Sequence, residues 1–241
     1  MDLTDRQREI LTAVIKEFMR EAEEVGSLAL VEKYDLGVSS ATIRNEMVKL
    51  MDLGLLEKSH ISSGRVPTDQ ALRLYVSNVM TNNQLNPLVS VEIRQGIYRD
   101  RFDRNVLVKE ILELLSKETD CLVFLILDGE IRYWGVSQQL KNNEFKDIER
   151  LRTIFSILED DTFLRELTSK YSASGVSLII GKELGIKDLS DAAVAFTRIP
   201  FWDREEAYVG VIGTKRMDYS VVLPALAEVK KALESSIAGW R

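Results

Sequence analysis

Arg44 and Asn45 are neighbours in the run Ser39-Ser40-Ala41-Thr42-Ile43-Arg44-Asn45, and both carry planar side chains that bond a planar partner in two places at once. A guanidinium matches a phosphate or a guanine edge, and a carboxamide matches an adenine edge. Ser39, Ser40, Ala41 and Thr42 are small and leave room for a close approach, while Lys49 adds a further cation. A second polar group is His60, Ser62, Ser63, Gly64 and Arg65. For His60 to act as a base it would need a nucleophile and an orienting acid, and Ser62 and Ser63 stand in a loop-forming stretch with no positioned acid. That stretch reads as a contact surface. Cys121 lies in an apolar run and reads as a small buried hydrophobe, with a redox sensor as the other reading. Gly181 and Gly185 lack the spacing of a phosphate loop, and Arg216, Asp218 and Tyr219 precede a helix that Asp218 can cap. With one cysteine and one histidine, neither an internal disulfide nor a Cys/His or His-pair metal site can form. No catalytic group, metal or cofactor is expected.

The first group of residues needs a helix to present it. Thr4 and Gln7 have capping-box spacing, and Ile10, Leu11, Val14, Ile15, Phe18 and Met19 follow on one helical face. After Gly26, Ser27 is placed to cap a short second helix carrying Leu28, Leu30, Val31 and Tyr34, with Asp35-Leu36-Gly37 as the turn that ends it. Ser39 or Ser40 then caps a third helix. With Ile43, Met47, Leu50 and Met51 inward, the 100° step leaves Ala41, Thr42, Asn45, Val48 and Lys49 outward and Arg44 on the shoulder. Gly54 closes it, and the stretch from Leu55 to Pro67 reads as a hairpin with a polar tip. Thr68 caps a fourth helix. This is the order of a winged helix-turn-helix, whose third helix enters the DNA major groove.

From residue 105 onward the pattern is a helix (Val108, Ile111, Leu112, Leu115), a strand from Cys121 to Leu127, an Asp128-Gly129 hairpin turn and a partner strand from Ile131 to Val136. Helices at Phe145–Leu158 and Phe163–Tyr171 follow, then strands at Val176–Ile180, Ala192–Ile199 and Ala207–Ile212, and a closing helix from Tyr219 to Ile237. The fold class is therefore α+β, with a mostly antiparallel sheet flanked by helices. Residues 1–82 form one domain, 83–104 a linker segment, and 105–241 a second domain. The longest apolar run spans seven residues, against roughly 20 for a bilayer span. The N-terminus reads MDLTDRQRE rather than a charged tip followed by an apolar stretch, so a cytoplasmic protein is expected. The net charge of −6 argues against nucleic acid, yet residues 36–68 hold four cations against three carboxylates and escape that balance.

The string SLALVEKYDLGVSSATIRNEMVKLMDLGLLEKSHISSGRVPTDQALRLYV resembles the winged-helix domain of the HrcA family of bacterial heat-inducible transcription repressors, through VSSATIRNEM and SSGRVPT. GVIGTKRMDYSVVLPAL and NNEFKDIERLRTIFSILED are similar to that family's C-terminal segments. Two departures are visible. Thr214 stands where the family has proline, and there is no room between Gly129 and Glu144 for the family's inserted dimerisation subdomain. The resemblance implies a GAF-like second domain and a homodimer on an inverted-repeat operator in double-stranded DNA. It further implies repression of chaperone genes and a GroEL-type chaperonin as partner. On that reading Ser39, Ser40, Ala41, Thr42, Arg44, Asn45, Lys49, His60, Ser62, Ser63, Gly64 and Arg65 contact DNA. A ligand-sensing or protein-interaction module, in which the helix-turn-helix meets protein, is the other reading.

Overall fold

In a computed structural model, the structure describes residues 3–21, 24–58, 64–82, 84–139, 148–160, 162–171, 174–201 and 206–237. The chain divides into two compact units, Met1–Thr81 and Asn82–Arg241.

In the first unit the Thr4 amide donates to Gln7 Oε1 at 3.1 Å and the Gln7 amide to Thr4 Oγ1 at 3.2 Å, so the expected capping box opens α1 (Asp5–Glu21). Its Ile10, Leu11, Val14 and Ile15 are buried, whereas Phe18 and Met19 are half-buried. Next comes α2 (Ser27–Lys33), which differs from expectation. Gly26 is its N-cap and Ser27 its first residue, and only Leu30 of its apolar residues is buried; Leu28 stays 68% exposed. Seven residues make two turns, and a helix that short has one line of contact with its neighbours. Then α3 (Ser40–Asp52) buries Ile43, Met47 and Leu50. Gly54, at φ +72°, turns the chain into β1 (Leu56–Glu57), which pairs antiparallel with β2 (Val66–Pro67). Thr68 caps α4 (Asp69–Asn82), accepting from the Ala71 amide at 3.3 Å while its hydroxyl donates to the Gly54 carbonyl at 2.8 Å.

The second unit opens with a correction. The segment expected as a linker is the helix α5 (Pro87–Asp100), started by Asn86, which accepts from the Leu88 amide at 2.9 Å. It buries Ile93, Gly96 and Ile97 and packs on α6 (Arg104–Thr119) and on the last helix of the chain. A Cβ on Gly96 would stand 2.9 Å from the Leu114 side chain, so this mid-helix glycine, a helix breaker by propensity, is what lets α5 and α6 close. After α6 come β3 (Leu122–Leu127) and β4 (Glu130–Trp134), joined by Asp128 and Gly129 at φ +52° and +82°, as the turn chemistry requires. The chain continues through α7 (Val136–Gln139), α8 (Ile148–Glu159), α9 (Thr162–Lys170) and β5 (Ser177–Ile180). Two 3-10 turns, β6 (Ala192–Pro200), β7 (Glu206–Thr214) and α10 (Tyr219–Ile237) complete it. The sheet is antiparallel, in the order β4-β3-β7-β6-β5. Every residue of β3 is buried. Leu122, Phe124 and Ile126 join the cluster of α8 and α9, and the alternate residues point to the opposite face, where α6 and α10 pack.

Candidate functional site

α3 is fixed by a cap and three anchors. Ser39 adopts extended backbone and accepts from the Thr42 amide at 3.3 Å, with the two hydroxyls 3.1 Å apart. Ile43, Met47 and Leu50 lock the opposite face into the unit's core. What remains outward is the predicted surface: Ala41, Thr42, Arg44, Asn45 and Lys49 are exposed, and Ser40 is half-buried. Among the described residues Arg44 and Asn45 carry no ion pair or side-chain hydrogen bond. Lys49 is different. It reaches Glu46 at 2.7 Å, and that hydrogen bond, opposed by burial, holds the Glu46 carboxyl below its ordinary range. Among the described residues of this face Arg44 is the cation without an ion pair, and Asp52, exposed seven residues beyond Asn45, is the unpaired carboxylate.

His60, Ser62 and Ser63 lie outside the described residues. Gly64 and Arg65 do not form an open tip. Arg65 exchanges both backbone hydrogen bonds with Val25, each 2.9 Å long, which ties β2 to the segment before α2. Its half-buried guanidinium lies against the Met51 sulfur and donates to the Gly64 carbonyl at 3.2 Å. Gly64 itself is pressed on Val25, where a Cβ would come within 2.6 Å of the carbonyl oxygen. A shallow groove results, lined by Val25, Leu28, Arg44, Met47 and Gly64, so Arg44 forms the α3 wall of a cleft whose other wall is the hairpin.

One residue that positions α2 against α1 was not singled out from the sequence. Glu17 is a buried carboxylate of α1, and it gathers Lys33 and the Tyr34 hydroxyl from the end of α2, together with Arg20 at 3.1 Å. Burial alone would raise its pKa. The Lys33 hydrogen bond, the charges of Arg20 and Lys33 and the Tyr34 hydroxyl outweigh burial and lower it. Its one signal in the sequence is the spacing Ile10, Val14, Glu17, which places it on the inward stripe. At the turn that follows, Arg6 of α1 donates to the Leu36 carbonyl and Gly37 sits at φ +62°. The turn between α2 and α3 is thereby set from α1.

Comparison with known proteins bears on most of the chain. The family described as HrcA protein C-terminal domain matches residues 38–223. The heat-inducible transcription repressor HrcA of Clostridium botulinum (strain Alaska E43 / Type E3) is 27% identical over 338 aligned positions, covering 98% of each chain. That of Symbiobacterium thermophilum is 25% identical, over 96% of this chain and 98% of the relative. The 338 positions exceed the 241 residues here by 97, so at least that many positions of the C. botulinum protein face no residue of this chain. A crystal structure of a hypothetical protein at 2.2 Å resolution shares the fold, with a TM-score of 0.77 at 19% identity over 98% of this chain and all of the other.

Proposed function

The chain belongs to the HrcA family, and we propose on that basis that it represses transcription of heat-shock genes by binding an inverted-repeat operator as a homodimer. Its first unit acts as a winged helix-turn-helix and its second as a GAF-like module. The observation that carries this reading is the outward face of α3: small residues at the capped N-terminus, then Arg44 and Asn45, neither engaged by another described residue. Their chemistry suits base edges in a major groove, and the α3 amides ahead of them suit a phosphate.

The rest of the mechanism follows from geometry and mass action. Two copies related by a two-fold must place their α3 helices about 34 Å apart to reach successive major grooves on one side of a duplex. A dimer so placed near a promoter excludes polymerase by bulk. Heating depletes the folded dimer, and a GroEL-type chaperonin restores it, so repression tracks the folded population. Because the α3 face carries so little net charge, most of the affinity comes from specific contacts and dimerisation.

Selection of bound sequences from random duplex DNA, followed by a gel shift of the selected site against its scrambled version at physiological salt, tests this. A palindromic selected site bound far more tightly than the scramble supports the reading. Equal retention of both would refute it.

A further inference from the structure

Along α5 the exposed residues on one stripe are Leu88, Val91, Gln95, Tyr98 and Phe102, the last just past the helix end. Their spacing alternates three and four, the spacing of a seam between two helices. The apolar members are wide open: Leu88 is 78% exposed, Tyr98 61% and Phe102 74%. We propose that this stripe is a docking surface for a second copy of the chain, and so supplies the homodimer contact on which the repressor reading above depends.

Three observations select that occupant. The first is charge. The protein carries −6, so two copies repel at long range and a self-contact must be locally neutral. The charges bordering the stripe are paired within the chain. Arg94 binds Glu228, Lys117 reaches Glu92 at 2.6 Å, and Arg99 reaches Asp100 at 2.7 Å and Glu110 at 2.8 Å. With Arg101 laid 3.7 Å from the Tyr98 ring centre and 4.1 Å from that of Phe102, Lys231 on the groove wall and Asp103 next to Phe102, the border holds five cations against five carboxylates. A strongly charged partner gains nothing from such a border; an identical neutral one loses nothing. The second is chemistry at the centre of the stripe. Gln95 is its one polar member, and a carboxamide both donates and accepts, so a two-fold axis through the middle of the stripe lets it bond its own copy. The third is area. Burying the exposed parts of these side chains removes roughly 500 Å² per copy, on the order of 1,000 Å² in all, the low end for a specific contact. That size suits a dimer that dissociates on dilution and is completed on DNA. A groove of 510 Å³ between α5 and α10, bordered by Gln95, Tyr98 and Ala232, gives the partner's side chains a seat.

Sedimentation equilibrium of the whole chain without DNA, across a concentration series, tests the stripe. The parent mass should climb from 27.4 kDa toward twice that value. Leu88→Asp combined with Tyr98→Asp alters two exposed positions and should melt like the parent, yet shift dimerisation to concentrations about tenfold higher or more. Gln95→Cys gives an independent readout, because Cys121 is buried and the new thiol stands alone on the surface. Mild oxidation should link two chains at Gln95→Cys and not at Tyr133→Cys on β4. A parent that stays monomeric throughout, a double variant that dimerises like the parent, or equal cross-linking at both cysteines would each overturn the proposal. Operator binding is scored separately. A parent that binds operator while the double variant matches it sinks the stripe and spares the repressor reading; a parent that dimerises through the stripe but ignores operator does the reverse.

Discussion

Lys33, the last residue of α2, donates a hydrogen bond to Glu17, sixteen residues earlier on α1, and Glu17 keeps only 4% of its side chain exposed. A carboxylate in that setting is stabilising only while ionised and paired. Its folded pKa lies below the ordinary 4.5. A group whose pKa is depressed by folding contributes stability above its unfolded value, and that contribution is lost as pH falls through the folded one. The first unit should therefore melt at a lower temperature as pH drops below 4.5 toward the folded pKa. Glu17→Gln, which keeps the shape and an acceptor for Tyr34, should cost about 1–3 kcal/mol at pH 7 and flatten that acid dependence. Thermal melts of parent and variant from pH 7 to pH 3 check it: parallel curves would show that Glu17 carries no linkage.

Arg44→Ala and Asn45→Ala should each weaken operator binding by about 1–3 kcal/mol, roughly ten- to hundredfold, with melting unchanged. Both side chains are exposed and have no partner among the described residues, so the fold loses nothing when they go. Lys49→Ala should do less, because Lys49 is already committed to Glu46. Titrations of the selected site at fixed salt separate the three; a Lys49 variant worse than the Arg44 variant would reassign the reading face.

How far the sequence could be read depended on which interactions were local. The capping box at Thr4, the Ser39 cap, the outward set on α3 and the Asp128-Gly129 turn rest on contacts within a few residues, and the structure has them where spacing put them. Leu28 and Val31 are exposed, and composition does not reveal how little of a two-turn helix its neighbours can cover. Residues 83–104 were read as a linker because Tyr98 to Arg104 is charged and weakly patterned; the helix there has apolar residues on two faces, one against α6 and α10 and one open, and a glycine, Gly96, in its middle. Only the partner helix explains that glycine. Nothing local to Arg65 reports that Met51, on α3, lies within reach of its guanidinium.

Gly64→Ala should damage the site without touching a functional side chain. Its Cβ would fall 2.6 Å from the Val25 carbonyl oxygen, a backbone atom that cannot swing aside, so the paired hydrogen bonds between Val25 and Arg65 must stretch or break. The hairpin then leaves the groove beside Arg44. Operator affinity should fall by about tenfold or more, with a loss of roughly 1–3 kcal/mol in stability, as for other overpacked sites. Amide exchange at Val25 and Arg65 is the direct check, and protection equal to the parent's would show that the hairpin is not held by this contact.

Cys121, at the foot of β3, should be chemically silent in the native protein. Burial, opposed by a hydrogen bond from Thr119 and reinforced by the charge of Asp120, pushes its thiol up to about 12. At pH 8 roughly one molecule in ten thousand then carries the reactive thiolate, and that sulfur is enclosed in the core. The redox-sensor reading requires the opposite, a low pKa and an open path. An aromatic disulfide reagent at pH 8 should release almost no thiolate from the folded chain and one equivalent after denaturant is added, at a rate set by opening of the second unit rather than by reagent concentration. Prompt release of a full equivalent from native protein, rising in proportion to reagent, would mean that β3 admits solvent at Cys121 and would restore the sensor reading.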